Sequence, residues 1–546
     1  MFTSCKFNAM TAEEAELREA IDRILKSKSP KKLIVAGPGA GKTTLFKALL
    51  KATGGEADDR LVLTFINSLK SDLEAQLSDY AKVFTLHGYC LGLLHSKEKL
   101  RDGLSSNFRC QPGLASIIRS DWKYIHQLES PHFVLQMRDL EETKDLDFYF
   151  KRGNYYNAVD FDDCVFRVYK SVTEGRGELD RYELVLIDEY QDFNGLEAGI
   201  IDLLSEKSPI VIAGDDDQAL YSQLRDASWD HIRLLHREGK FEVFELPFCM
   251  RCPKVVVESV NDVISTAQKL KKLKGRIQKP YKHFAPAKGQ DSDKYPTLAL
   301  VLTSVQRENA NYMGRYIADA IDQISEDQRD IAAKEGYPAA LVIAAKPYSS
   351  QIINCLEERG FDLDAKRDSE DALDRAHGLA ILKIDGKSNL GWRIVIEWEP
   401  EKFASKLVAK TASMDLPIIN LLPKKFREKV LAEAKKLEGA SDDNEDGKSR
   451  KTASMVKVTS FEGAKGLSAQ HVFIAGLHNG EIPRDPGNVR DLEICKFVVG
   501  LTRTRKRCYL IHTTRFAQSE KHPSLFISWI KDARFERIEV NAGRWR

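Results

Sequence analysis

Apolar residues fall along this chain in short β-branched runs, and most runs are followed by a stretch of helical periodicity. The first run is Leu33-Ile34-Val35, preceded by Leu17, Ala20, Ile21, Ile24 and Leu25 at the spacing of an amphipathic helix over 11–27. Leu61-Val62-Leu63-Thr64-Phe65 and Val83-Phe84 come next, with helix-forming stretches at 45–51 and from Asn67 onward. Strands apolar on both faces and separated by helices predict a parallel α/β sheet. The pattern lapses over 90–180, where Lys, Arg, Asp and aromatic residues dominate, and resumes at Leu184–Ile187, Ile210–Ala213 and Phe241–Leu246. A second series runs through Leu298–Leu302, Leu341–Ala344, Val456–Thr459, His471–Ala475 and 507–512. Helices are expected around 490–503 and 523–531. The stretch 361–455, with Trp392, Trp398 and a Lys/Glu/Ala segment near 424–437, interrupts that series.

The expected architecture is therefore α/β, with two parallel-sheet cores, each interrupted by a mainly helical insertion. Residues 1–89 and 176–248 would form the first core and 90–175 its insertion. Residues 249–360 and 455–546 would form the second, with a reduced insertion at 361–454. Several domains suit a chain of 546 residues.

Composition narrows the classes. Lys plus Arg number 83 against 81 for Asp plus Glu, so any grip on nucleic acid must be a local groove. Nine scattered cysteines fit reduced thiols in a cytoplasmic protein. The opening Met-Phe-Thr-Ser-Cys-Lys has no apolar h-region behind it, and no run is long enough to span a bilayer, so no membrane association is expected. Cys249 and Cys252 have CxxC spacing without a second pair, and read as two buried thiols. A basic stretch, from Lys269 through Arg276 and Lys279 to Lys288, fits either a DNA or partner contact or a solvated, flexible loop. The tract Ser441–Gly447 reads as a solvated loop.

The candidate chemistry begins where the first strand ends. Gly37, Pro38, Gly39, Ala40 and Gly41 form a turn whose peptide N–H groups can approach an anion. Lys42, Thr43 and Thr44 then open a helix, where free N–H donors and the helix dipole favour phosphate. Lys42 would reach the β- and γ-phosphates, and Thr43 would hold Mg²⁺. A partner element, the apolar strand Leu184–Ile187 ending in Asp188 and Glu189, supplies a second Mg²⁺ ligand and a carboxylate able to polarise water.

Together these segments resemble the superfamily 1A helicases, the UvrD/Rep/PcrA group. Ala36 to Thr43 resembles that family's P-loop. Thr64-Phe65-Ile66-Asn67 and Thr85-Leu86-His87-Gly88-Tyr89 resemble motifs Ia and Ib, and Asp188-Glu189-Tyr190-Gln191-Asp192 resembles motif II. Gly214 to Tyr221 resembles motif III, Met250-Arg251 motif IV, Thr459 to Leu467 motif V and Val499 to Thr504 motif VI. The resemblance implies two RecA-like cores with ATP between them. It implies Glu189 as general base, Gln218 as γ-phosphate sensor, and Arg251, Lys465, Gly466 and Arg503 reaching the nucleotide from the second core. It further implies single-stranded or tailed duplex DNA at Thr64, Phe65, Asn67, Thr85, His87, Tyr221 and Arg225.

Some positions depart from the family pattern. Glu14 stands near the expected adenine-reading Gln, and Ser222-Gln223-Leu224-Arg225 lacks the usual aromatic. Glu462 and Ser468 replace a His and a Glu of motif V. The stretch after residue 515 is short, and no fused nuclease is expected in it. The expected function is an ATP-dependent single-stranded DNA translocase and helicase of 3′→5′ polarity. The alternative is a DNA-stimulated ATPase switch signalling to a partner, such as a separate nuclease in repair or phage defence.

Overall fold

Two wholly parallel sheets organise the molecule. The computed structural model describes residues 10–65, 67–96, 100, 103–141, 143–221, 226–303, 312–365, 373–437 and 455–545. The first sheet contains β1 (Lys31–Ala36), β2 (Arg60–Thr64), β3 (Lys82–Thr85), β4 (Leu184–Ile187), β5 (Ile210–Gly214) and β6 (Glu242–Leu246). Their spatial order is β3-β2-β4-β5-β1-β6. Alternate side chains of β1 enter different cores: Leu33 and Val35 pack on one face, Ile34 and Ala36 on the other. Because β1, β5 and β4 are neighbours, the loops leaving Ala36, Gly214 and Ile187 emerge side by side at one sheet edge. Open parallel sheets bind ligands at that edge, beyond the carboxyl ends of their strands.

The second sheet contains β7 (Leu298–Thr303), β8 (Ala340–Ala344), β9 (Leu363–Ala365), β10 (Val456–Thr459), β11 (Ala469–Ala475), β12 (Thr504–Thr513) and β13 (Phe535–Val540). Their order is β9-β10-β8-β11-β12-β7-β13. The α/β class with two parallel-sheet cores is thus observed. Both edge strands, β9 and β13, were absent from the expected pattern, and β9 lies beyond residue 360, where the second insertion was expected to begin.

Each series of strands is interrupted by helices. Leu114–His126, Phe133–Arg138, Lys144–Tyr156 and Phe161–Thr173 stand between β3 and β4. Arg375–Ile384, Asn389–Glu397, Glu401–Ala409, Ile418–Leu421 and Lys424–Lys436 stand between β9 and β10. The two helical groups pack on each other, and one apolar cluster runs from the first sheet through both, with Trp392 fully buried within it. At their junction Asp121 is enclosed. Its Oδ2 accepts from Arg152 Nε at 2.9 Å and its Oδ1 from Arg393 Nε at 2.7 Å, so one carboxylate holds an arginine from each group. The tract Ser441–Gly447 lies outside the described residues.

Candidate active site

The loop after β1 is shaped by backbone angles that side chains resist. Gly39 and Gly41 have φ of +74° and +84°, in the left-handed region glycine favours. A Cβ on Gly39 would lie 2.7 Å from Cβ of Arg251, and Gly39 O accepts the Met250 N–H at 2.9 Å. The loop is thereby stitched to the segment bearing Arg251. Gly41 gives the helix Lys42–Thr53 no side-chain cap, which leaves first-turn N–H groups for an anion. Ala40, Thr43 and Thr44 line the same cleft, of about 400 Å³.

Asp188 and Glu189 follow β4 directly. Glu189 has φ +54°, an uncommon conformation for a residue with a Cβ. Lys42 Nζ lies 2.5 Å from Glu189 Oε1 and 3.9 Å from Asp188 Oδ1. Burial alone would raise the Glu189 carboxyl, but Lys42 and Lys465 outweigh it and hold Glu189 below the usual carboxylate range. Burial raises Asp188 against the pull of Lys42. Burial opposes the charge on Lys42, and the Glu189 and Asp188 carboxylates more than restore it. Asp188 Oδ1 is buried and has no hydrogen-bond partner among the described residues. With the Thr43 hydroxyl in the same cleft, that orphaned oxygen fits a hard divalent cation such as Mg²⁺.

Gln218, just beyond β5 of the first sheet, faces the second core across the cleft. Its Nε2 donates to Asp215 Oδ2 at 2.7 Å, and its Oε1 accepts from Arg503 at 2.9 Å. Arg503 also donates to the carbonyls of Val499 and Leu467, and Arg251 donates to the Thr502 carbonyl at 3.3 Å. Burial, then the neighbouring Arg251, pulls Arg503 down to about 10, so it stays charged near neutral pH. Lys465 lies 2.6 Å from Asp192 Oδ2 and donates to the Gln218 carbonyl. Gly466 (φ +80°) brings its backbone against Leu69, where a Cβ would approach to 2.6 Å. The cleft therefore has a wall from each sheet: Lys42 and Glu189 beyond the first, Lys465 and Arg503 beside the second.

Only part of the basic stretch lies at the surface. Arg276 and Lys279 turn inward onto Asp215, Asp216 and Asp217, while Lys269, Lys271 and Lys274 remain exposed. A buried acidic triplet needs counter-charge, which is the signal that sequence reasoning overlooked. Gln191 was also missed. It joins Glu189 to the Asp215 backbone, donating to Glu189 Oε2 at 2.6 Å and accepting at 2.9 Å. Cys249 and Cys252 are both buried, with the Cys252 N–H donating to Cys249 Sγ at 3.4 Å.

The described residues expected at DNA are buried or have internal partners. Phe65 is buried, edge-on to Phe193 and 5.0 Å from the Tyr221 ring, so its face is not an open stacking platform. Thr85 caps the helix Leu86–His95 by accepting from Gly88 N at 3.1 Å. His87 lies 3.2 Å from Glu197, and Thr64 is fully buried. Tyr221 is half-buried and donates to the Glu462 carbonyl at 3.2 Å. Arg225 and the side chain of Asn67 lie outside the described residues. Glu14 closes a capping box with Thr11, whose N–H it accepts at 2.8 Å.

A P-loop facing arginines and a lysine across a cleft between two parallel sheets defines a two-core P-loop nucleotide-binding protein. Residues 17–117 and 127–239 match the sequence model of the UvrD/REP helicase N-terminal domain. It is 26% identical over 229 residues to the ATP-dependent DNA helicase Rep of Buchnera aphidicola, covering 35% of this chain and 34% of that protein. It is 24% identical over 278 residues to DNA helicase II of Haemophilus influenzae, covering 43% and 38%. Against the ATP-dependent DNA helicase UvrD2 of Mycobacterium bovis it is 24% identical over 357 residues, covering 61% and 47%. The chain thus spans between about a third and a half of these relatives. No helix among the described residues is long and apolar enough to cross a membrane.

Proposed function

We propose that this chain is an ATP-dependent DNA translocase and helicase, hydrolysing ATP between its two cores and moving 3′→5′ along single-stranded DNA. The Gln218–Arg503 bond carries the reading, because it ties the wall that holds Glu189 to an arginine of the other core. The loop Gly37–Gly41 and Lys42 bind the triphosphate, and Thr43 and Asp188 hold Mg²⁺, which neutralises charge on the phosphate oxygens. Glu189 is already ionised and takes a proton from the attacking water once Lys42 transfers its charge to the phosphates. Gln218 senses the γ-phosphate, and Arg251, Lys465 and Arg503 offset the charge that develops on it. Their approach requires a closed cleft, which couples hydrolysis to relative movement of the cores. DNA lies across both cores, and Phe65 and Tyr221 separate to take bases between them.

The test is ATP hydrolysis with and without single-stranded DNA, run beside strand displacement on 3′-tailed and 5′-tailed duplexes. Lys42→Ala and Glu189→Gln should each lower turnover by about a hundredfold or more. Undiminished turnover in either variant would remove the site assignment. Displacement confined to the 5′-tailed substrate would reverse the polarity.

A further inference from the structure

Lys279 belongs to the basic stretch but behaves unlike a surface lysine. Its side chain is 2% exposed, and its Nζ lies 2.8 Å from Asp215 Oδ1, 2.7 Å from Asp216 Oδ1 and 2.8 Å from Asp217 Oδ2. Arg276 grips Asp217 through two nitrogens, each at 2.7 Å, and Arg233 donates to Asp216 at 2.9 Å. Three carboxylates thus meet three cations. The division of labour is uneven: of the three cations, only Lys279 touches Asp215. A lysine suits this point, because a compact ammonium can face three oxygens from different directions where a planar guanidinium cannot.

Asp215 leads directly to the cleft. Its second oxygen accepts the Gln218 amide N–H at 2.7 Å, and the Gln218 oxygen is thereby left to face Arg503 at 2.9 Å. Its backbone N–H reaches Gln191, which holds Glu189. A glutamine amide has one accepting and one donating end, so what Asp215 accepts decides which end faces Arg503. Without a cation beside it, a buried Asp215 takes up a proton. A protonated Asp215 donates, the Gln218 amide turns over, and N–H groups then face the guanidinium.

We propose that Lys279 is a positioning residue for the cleft: by neutralising the Asp215–Asp217 cluster it keeps Asp215 an acceptor and so presents the Gln218 oxygen to Arg503. The proposal rests on the reading above that Gln218 and Arg503 meet the γ-phosphate. It also assigns the buried end of a stretch that otherwise looks like a DNA contact.

The experiment measures binding of Mg–AMP-PNP and Mg–ADP by titration calorimetry, together with steady-state ATP hydrolysis, for wild type and Lys279→Met. The expected result is a loss of about tenfold in kcat, with ADP affinity kept within about twofold. The affinity ratio of AMP-PNP to ADP should fall toward one. Lys282→Gln, which removes an exposed lysine of the same stretch, should change neither quantity. If Lys279→Met does not fold, Lys279→Met/Asp215→Leu leaves two carboxylates facing two guanidinium groups and removes the acceptor that orients Gln218, and the same lowered ratio is expected from it. A folded variant with an unchanged ratio and kcat overturns the positioning role. A wild type that binds both nucleotides without hydrolysing ATP overturns the enzymatic reading instead, and the affinity ratio still decides for or against Lys279.

Discussion

Arg503 illustrates how a single side chain can be held ready for a ligand by a temporary partner. It is buried, its charge is opposed by Arg251, and Gln218 occupies the nitrogen that faces the cleft. Arg503→Ala should therefore leave nucleotide affinity within about threefold and lower turnover by about 10³, read by calorimetry and steady-state hydrolysis. Equal loss of both would contradict a role confined to the transition state. His478 gives a second residue-scale expectation. It is fully buried, its Nε2 accepts the Thr513 N–H at 2.9 Å, and protonation there would break that bond. Burial and neighbouring positive charge bring His478 down to about 4, and burial also lowers His512 to about 4 and His471 to about 3. A folded pKa below the unfolded value means the unfolded chain binds protons first, so stability present above pH 6.5 is lost as the pH falls toward about 4. Each histidine contributes on the order of a few kcal/mol to that loss, His471 the most. Thermal melting from neutral to acid pH should show it, and His478→Gln should flatten the curve relative to wild type.

At the scale of elements, the strands nearest the cleft were the most legible. β4, β5 and the Leu33–Ala36 part of β1 are buried on both faces, so these stretches are unbroken apolar runs. β9 and β13 lie at sheet edges and carry Asp364, Glu536, Arg537 and Glu539, which dilute the apolar signal. The loops at the strand ends were legible as a phosphate site because glycines and a lysine leave few other readings. The internal partners of Phe65 and His87 were not, since a ring contact and an ion pair depend on residues far away in sequence, whereas the Thr85 cap is closed by Gly88 three residues on. The junction of the two helical groups is the element-scale feature open to a stability test. Asp121→Ala leaves Arg152 and Arg393 buried without their shared carboxylate and should cost about 3–5 kcal/mol in urea unfolding. Replacing all three by apolar residues of similar volume should restore most of that loss.

The whole molecule is nearly neutral, with 83 basic and 81 acidic side chains, so its overall field does little to attract DNA. Binding by a local groove predicts a steep ionic response. If about six phosphates are engaged, affinity for single-stranded DNA should fall about 300-fold between roughly 50 and 200 mM salt, measured by fluorescence anisotropy. A flat response would leave no electrostatic groove to hold the strand. The two-core arrangement was legible from the repetition of strand series, whereas the contact between the helical groups was not, because neither group's sequence names its partner.

That contact has a mechanical consequence. Opening it would part Asp121 from Arg393 and Arg152 from Thr411, and hand each of these groups back to water. The clasp at Asp121 is thus a junction between the halves of the chain remote in sequence from those at the cleft, where Met250 meets Gly39, Arg503 meets Gln218, Lys465 meets Asp192 and Lys279 meets Asp215. Any relative movement of the two walls has to be accommodated by the helical groups as well as by the cleft.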